Sequence, residues 1–172
     1  RSIPRMRELD NMFQGRILTR YSTQDAVDEE IVKADVVIGA VLTAGASAPK
    51  MIRKDDLKKM KPGSVLVDVS IDQGGCFETS RPTTHADPTY TVDGVVHYCV
   101  ANMPGAAPRT SSEALVHATL SFGLELADKG LDALKKNRHL AKGLNVLKGQ
   151  VTHPAVAEAL GKPFVDAYGA WK

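Results

Sequence analysis

The 172 residues carry 22 Lys and Arg against 20 Asp and Glu, a formal net charge of +2, which makes no electrostatic case for a nucleic-acid partner. Hydrophobic residues make up 43% and charged residues 24%, the balance of a soluble globular chain with room for one ordinary domain and a real core. No apolar run reaches the roughly 20 residues that cross a bilayer, and no secretory signal opens the chain.

Taken in chain order, RSIPRMRELDNMF (1–13) reads as a helix, because Met6, Leu9 and Phe13 recur at i, i+3 and i+7 with charges between them. A helix that starts an α/β unit without its strand, and without an initiator Met, leads to the expectation of a piece cut from a longer chain. RILTRYS (16–22) reads as a short strand. Ser22 or Thr23 can cap a helix over 23–34, with Asp25 in its first turn. ADVVIGAVL (34–42) is a continuous apolar run of the kind buried on both faces of a parallel sheet. TAGASAP is a loop, and DDLKKMK belongs to a short amphipathic helix closed by Pro62-Gly63. SVLVDVSID (64–72) is a second β-branched strand, and residues 73–94 are a long loop, with or without a small hairpin. VVHYCVANM (95–103) is a third strand ending at Pro104-Gly105.

Strands alternating with helices at about 30 residues per unit predict an α/β fold with a doubly wound parallel sheet. From Thr110 the pattern changes. TSSEALVHATLSFGLELADKG is apolar nearly all round, as a buried or interface helix is, with Thr110 or Ser111 as its cap and Gly130 as its stop. Shorter helices follow in GLDALKKNRHLAKGL and HPAVAEALG. The two cysteines, Cys76 and Cys99, lie in or beside strand-like segments without metal-ligand spacing. They read as buried or half-buried thiols that suit a reducing cytoplasm.

The carboxyl ends of parallel strands share one edge of the sheet, where ligands bind. The three runs end at Val41-Leu42 before TAGA, at Asp72 before QGG, and at Asn102-Met103 before PGAAP. Small residues at each end let a backbone approach a nucleotide-sized ligand. Asp72 is the one carboxylate among these ends. It is either a cap or loop-fixing acceptor, or an acid/base group tuned by a low-dielectric crevice. Asp68 reads as a structural polar residue on one strand face. Arg81 is either a solvated arginine or an anion clamp, and His97 a satisfied core or edge histidine. His85, His117, His139 and His153 show no ligand or triad spacing. The dinucleotide fingerprint GxGxxG occurs nowhere in these residues.

DVVIGAVLTAGASAPKMI, MKPGSVLVDVSIDQGGCFETSRPTT and VVHYCVANMPGAAPRTSSEAL together resemble the C-terminal part of bacterial L-alanine dehydrogenases, over nearly the whole chain. The resemblance implies a partial Rossmann-like NAD-binding domain over 1–109, lacking its first strand and GxGxxG turn. Residues 110–172 would then be helices returning to a catalytic domain. It implies NAD as cofactor, reversible oxidative deamination of L-alanine to pyruvate and ammonium, a homohexamer and a cytoplasmic location. Residue by residue, Asp72 matches the catalytic aspartate that handles protons beside the nicotinamide. Val69, Ser70, Ile71 and Asp72 match backbone positions along the nicotinamide end, as do Val100, Ala101, Asn102 and Met103. Val41 and Leu42 match the loop under the adenosine side, Ser22 a residue near the adenine, Arg5 a basic position near its ribose, and Arg81 a cofactor-contacting arginine. The family's catalytic histidine and its substrate-holding arginine and lysine have no counterpart here, so the chain by itself is expected to be inactive. Lys129 stands where some members carry a metal-binding histidine, and no metal is expected.

Two other readings compete. Proton-translocating transhydrogenases are similar at KPGSVLVD and the AVL loop but have an Ala-Glu-Ala-Gly-Gly type of run where this chain has IDQGG. A non-catalytic truncated product that persists as an interface or folding unit also accommodates the missing substrate clamp.

Overall fold

Four short β-branched runs pair into one sheet in the computed structural model, which describes residues 2–41 and 47–167. The strands are β1 (Val36–Gly39), β2 (Val65–Asp68), β3 (Thr89–Val92) and β4 (Val95–Tyr98), in the order β1-β2-β4-β3. β1, β2 and β4 are parallel, with Val36 beside Val65 and Val65 beside Val96. β3 joins β4 antiparallel through Asp93-Gly94. Both turn residues take left-handed values, φ 49° and 80°, as a two-residue type I′ hairpin requires. Residues 73–94 thus supply one strand of a hairpin whose other strand is the expected third run, and one edge of the sheet is antiparallel.

Strand alternation sorts the side chains. Leu66, Asp68, Val95 and His97 face inward, where Leu66 and Val95 join Ile31, Ile52, Leu57, Met60, Cys76 and Phe77 in a core. On the opposite face Val65, Val67, Val96 and Tyr98 are only half-buried, while Val36 and Ile38 are 55% and 66% exposed. The expectation that residues 34–42 are buried on both faces thus fails. β1 is an edge strand, and no described residue covers its outer face.

Residues 16–22, expected as a strand, form no ladder. An extended segment needs a neighbour for its N–H and C=O groups, and none of the described strands bonds it. The predicted helices flank this stretch. α1 (Ile3–Phe13) starts at Ser2, whose hydroxyl accepts from the Arg5 N–H. α2 (Gln24–Ile31) starts at Thr23, which accepts from the Ala26 N–H. DDLKKMK forms a 3-10 helix, Lys54–Lys59, tied by Asp56 to the Arg53 N–H and to Lys59 Nζ.

The chain divides into two units, Arg1–Met103 and Pro104–Lys172. The second opens with α3 (Pro108–Lys129). Its cap is not Thr110 or Ser111: the helix begins earlier, because Pro108 brings a helical φ and lacks the N–H that a first turn leaves unpaired. Ser111 Oγ instead donates to the Pro104 carbonyl at 2.9 Å. Gly130 ends α3 as expected, its N–H on the Leu126 carbonyl at 2.8 Å. α4 (Leu131–Lys136), α5 (Arg138–Ala141) and α6 (Pro154–Leu160) follow. Between α5 and α6 a two-stranded hairpin, β5 (Val146–Leu147) and β6 (Gln150–Val151), was not expected. Its Lys148-Gly149 turn also has two positive φ values, 49° and 78°.

Candidate functional site: a crevice at the strand ends

β2 ends at Asp68, not at Asp72, and the chain then winds into a 3-10 turn over Ile71–Gln73. Asp72 thus stands on a turn beyond the strand. The turn is held to β1 at two points: Val69 N–H donates to the Gly39 carbonyl at 2.8 Å, and Ser70 Oγ to the Val41 carbonyl at 2.8 Å. Between them lies a crevice of about 240 Å³ lined by Ala40, Val41, Val69, Ser70, Asp72 and Gln73. Four residues expected at the site, Val41, Val69, Ser70 and Asp72, therefore converge at the carboxyl edge of two parallel strands. Leu42 lies outside the described residues.

The crevice has an apolar wall and one anionic group. Val69 is 49% exposed, and the Asp72 side chain stands in solvent with no hydrogen bond or ion pair among the described residues. Among the described residues Asp72 therefore braces no other group. Gln73 Oε1 is buried without a donor.

The bracing belongs to Asp68, which is fully buried. Its Oδ1 accepts from the Ser70 N–H at 3.0 Å and the Cys76 thiol at 3.4 Å; its Oδ2 accepts from the Cys76 N–H at 2.8 Å and, closely, from Ser80 Oγ. Burial and the Asp68 charge together push the Cys76 thiol up to about 11, so it stays protonated and unreactive. Gly75, at φ +73°, packs so tightly here that a Cβ would stand 2.8 Å from Asp68 Oδ2 and 2.7 Å from Ser80 Cβ. From outside, Lys50 Nζ donates to the carbonyls of Gly74 and Gly75 at 2.6 and 2.8 Å.

Other expected residues lie elsewhere. Arg81 stacks its guanidinium 3.9 Å over the Tyr90 ring, and its N–H donates to Tyr90 Oη at 2.9 Å. Tyr90 in turn stacks on His97 at 4.8 Å. His97 Nδ1–H donates to the Val95 carbonyl, leaving Nε2 to accept from the Thr79 hydroxyl at 2.7 Å. That pairing suits a neutral ring. Burial, with the Arg81 charge adding to it, holds His97 below its ordinary pKa, and it is the satisfied core histidine expected.

Ile71 and Val100 are buried, at 4% and 0% exposure. Ala101, Asn102 and Met103 follow β4 on the same edge of the sheet but do not line the crevice. Asn102 takes a left-handed φ of 57°, and its carbonyl accepts from His85 Nε2 at 3.0 Å. Ser22 lines a separate cavity of about 410 Å³ with Arg20, Tyr21 and Glu30 against β1. Arg5 lies on α1, paired with Glu8 at 2.5 Å. Sequence reasoning passed over Lys50, Gln73 and the clamp made by Asp68. A signal for the last was present: an Asp two residues ahead of a turn residue readily accepts its N–H.

A parallel sheet with a crevice where two strands end and a carboxylate beyond them defines a ligand-binding α/β domain of the doubly wound class. The chain belongs to the alanine dehydrogenase/PNT C-terminal domain family, whose model matches residues 1–154. It is 62% identical over 168 residues to an alanine dehydrogenase from Halomonas elongata, covering 97% of this chain and 45% of that protein. An alanine dehydrogenase from Mycolicibacterium smegmatis is 53% identical over 167 residues, 96% and 45% of the two chains. A solved L-alanine dehydrogenase superposes with a TM-score of 0.84 at 44% identity, covering 93% of this chain and 44% of that one. A Sinorhizobium meliloti transhydrogenase shares the fold, with a TM-score of 0.65 at 24% identity over 90% and 41% of the chains. The chain thus spans less than half the length of these relatives.

Proposed function

We propose that this chain is the NAD-binding part of an L-alanine dehydrogenase, which converts L-alanine, NAD and water to pyruvate, ammonium, NADH and a proton. The observation that carries the reading is the free carboxylate of Asp72 beside Val41, Val69 and Ser70 at the strand edge, in a chain so similar to alanine dehydrogenases.

The residues present fit one end of the cofactor. An apolar half-exposed Val69 offers a face to a flat ring. At about 240 Å³ the crevice is below the roughly 300–1,000 Å³ that encloses a whole ligand of drug size. Its size would suit the nicotinamide end alone, which Val69, Ser70 and Asp72 would hold. When bound, NAD supplies the acceptor for the hydride that leaves the alanine Cα. Asp72 works on the protons: it takes one from the water that attacks the iminium carbon, returns it to the nitrogen of the carbinolamine so formed, and takes the hydroxyl proton as ammonia leaves and the pyruvate carbonyl forms. Ser70 and Val69 fix the turn against β1 so that the carboxylate meets the substrate without reorganising.

Residues 1–109 form the NAD-binding portion in this reading, and 110–172 return to a catalytic domain that supplies the substrate clamp. The enzyme works in the cytoplasm as a homohexamer. Among the described residues no helix is long and apolar enough to cross a membrane.

The test is Asp72→Asn in the full-length protein. Asparagine keeps the shape and loses the titratable group, so kcat should fall by about 10²–10⁴-fold while NADH affinity and melting point hold. A kcat within about threefold of the parent overturns the assignment.

A further inference from the structure

We propose that Asp68 is a positioning residue for Asp72, a buried carboxylate that closes the turn bearing the reacting group by holding both of its ends. The inference rests on the reading of Asp72 as the proton-handling group. It concerns a different residue, which touches neither the crevice nor a ligand.

The geometry is specific. Asp68 is the last residue of β2, and the backbone leaves the sheet immediately after it. One carboxylate oxygen receives the N–H of Ser70, at the start of the turn, and the other receives the N–H of Cys76, just past Gly75. The segment between these anchors contains all of Ile71–Gln73 and both glycines. Two further donors, the Cys76 thiol and the Ser80 hydroxyl, complete the shell. Among the described residues no cation pairs with Asp68, so its buried charge is met by these N–H, S–H and O–H donors alone. All four groups facing it are donors, and that arrangement accepts only a group with acceptors on both oxygens.

This predicts how the site fails. In Asp68→Asn the amide keeps one acceptor and turns an NH2 toward a donor, either at Ser70 or at Cys76. One end of the turn must then let go. Ser70 is also the residue whose hydroxyl reaches the Val41 carbonyl, so release at that end moves Asp72 relative to the wall of the crevice. Lys50 holds the Gly74 and Gly75 carbonyls from outside, which keeps the loop near its place while its angle changes. Misplacement of about 1 Å is enough to cost about 10²-fold in rate.

The experiment compares Asp68→Asn and Asp72→Asn in the full-length protein, with kcat, NADH Kd, melting point and amide hydrogen exchange over residues 69–76. For Asp68→Asn we expect kcat to fall by about 10–10²-fold with NADH Kd within about threefold. Exchange at the Ser70 or Cys76 amide should rise at least about tenfold while the rest of β2 stays protected. Unchanged exchange at both amides, or raised exchange with an unchanged kcat, overturns the proposal. A kcat loss matched by a loss of folded protein also overturns it, because a purely structural residue lowers the active fraction and leaves kcat per folded molecule alone. The reading of Asp72 fails separately, when Asp72→Asn retains kcat. Should Asp68→Asn not fold, Ser80→Ala removes one donor from the same oxygen and leaves the backbone anchors. A drop in kcat of about threefold or more with faster Cys76 exchange supports the clamp, and no change in either overturns it.

Discussion

His97 shows how a single buried group ties stability to pH. Its ring is closed off on both nitrogens, and burial holds it below the ordinary value of 6.5. Just beneath that value the unfolded chain binds a proton that the folded chain refuses. Stability is therefore complete above about pH 6.5 and is lost progressively as the pH falls below it. Glu30, Asp56 and Asp132 are lowered by their lysine and arginine partners, so their contributions hold above about pH 4.5 and fade only in stronger acid. Melting temperatures taken between about pH 7.5 and 5.5 should fall toward the acid end, and His97→Gln should flatten that slope. An equal slope in the variant would locate the titration elsewhere. The same local logic separates the two aspartates of VLVDVSIDQGG: Asp68 is surrounded by donors and braces, whereas Asp72 is exposed and bonds no described residue.

At the level of elements, β1 is short and tightly seated. A Cβ on Gly39 would run into Cys76 Sγ and stand 2.6 Å from Phe77 Cζ, so the strand lies against the segment that follows the Ile71–Gln73 turn with no room for a methyl group. Gly39→Ala should therefore cost about 1–3 kcal/mol or more by overpacking, read as a lower denaturant midpoint at unchanged slope. Gly123 in α3 is the control. Nothing lies within 4 Å of a Cβ built there, and Gly123→Ala should stabilise by about 0.5–1 kcal/mol through helix propensity. If both substitutions shift the midpoint in the same direction, the packing described for β1 is wrong. The hairpin β3–β4 has a different task, because it carries Tyr90 onto His97 and Arg81 and so anchors the stretch that supplies Ser80 to Asp68.

Across the molecule, apolar surfaces stand open among the described residues. One is the sheet face of Val36 and Ile38; another is along α3, where Leu115, Val116, Leu120, Phe122 and Leu124 are all exposed. Surfaces of this kind mark places where another chain or domain packs. The 172-residue chain should accordingly self-associate, with light scattering at about 0.1 mM showing species heavier than a monomer. A clean monomer would mean that α3 is soluble as it stands.

From the sequence alone, the residues determine the strand cores around VVIG, VLVD and VVHY, a helix within 1–13, a helix within 23–34 with Ser22 or Thr23 as its cap, and a carboxylate at the carboxyl edge of the sheet beside small residues. These follow from periodicity, β-branching and capping, which act over a few neighbours and leave a local trace. Three things came only with the tertiary structure: that β2 stops at Asp68, that β1 is an edge with one face open, and that Asp68 braces while Asp72 stays free. Each depends on partners distant along the chain. The donors that bury Asp68 include Ser80, the groups beside His97 come from Thr79 and Tyr90, and the exposure of Ile38 is decided by which strand or helix does not lie against it. A sequence shows which side chains need partners, and only the folded chain decides which ones they meet.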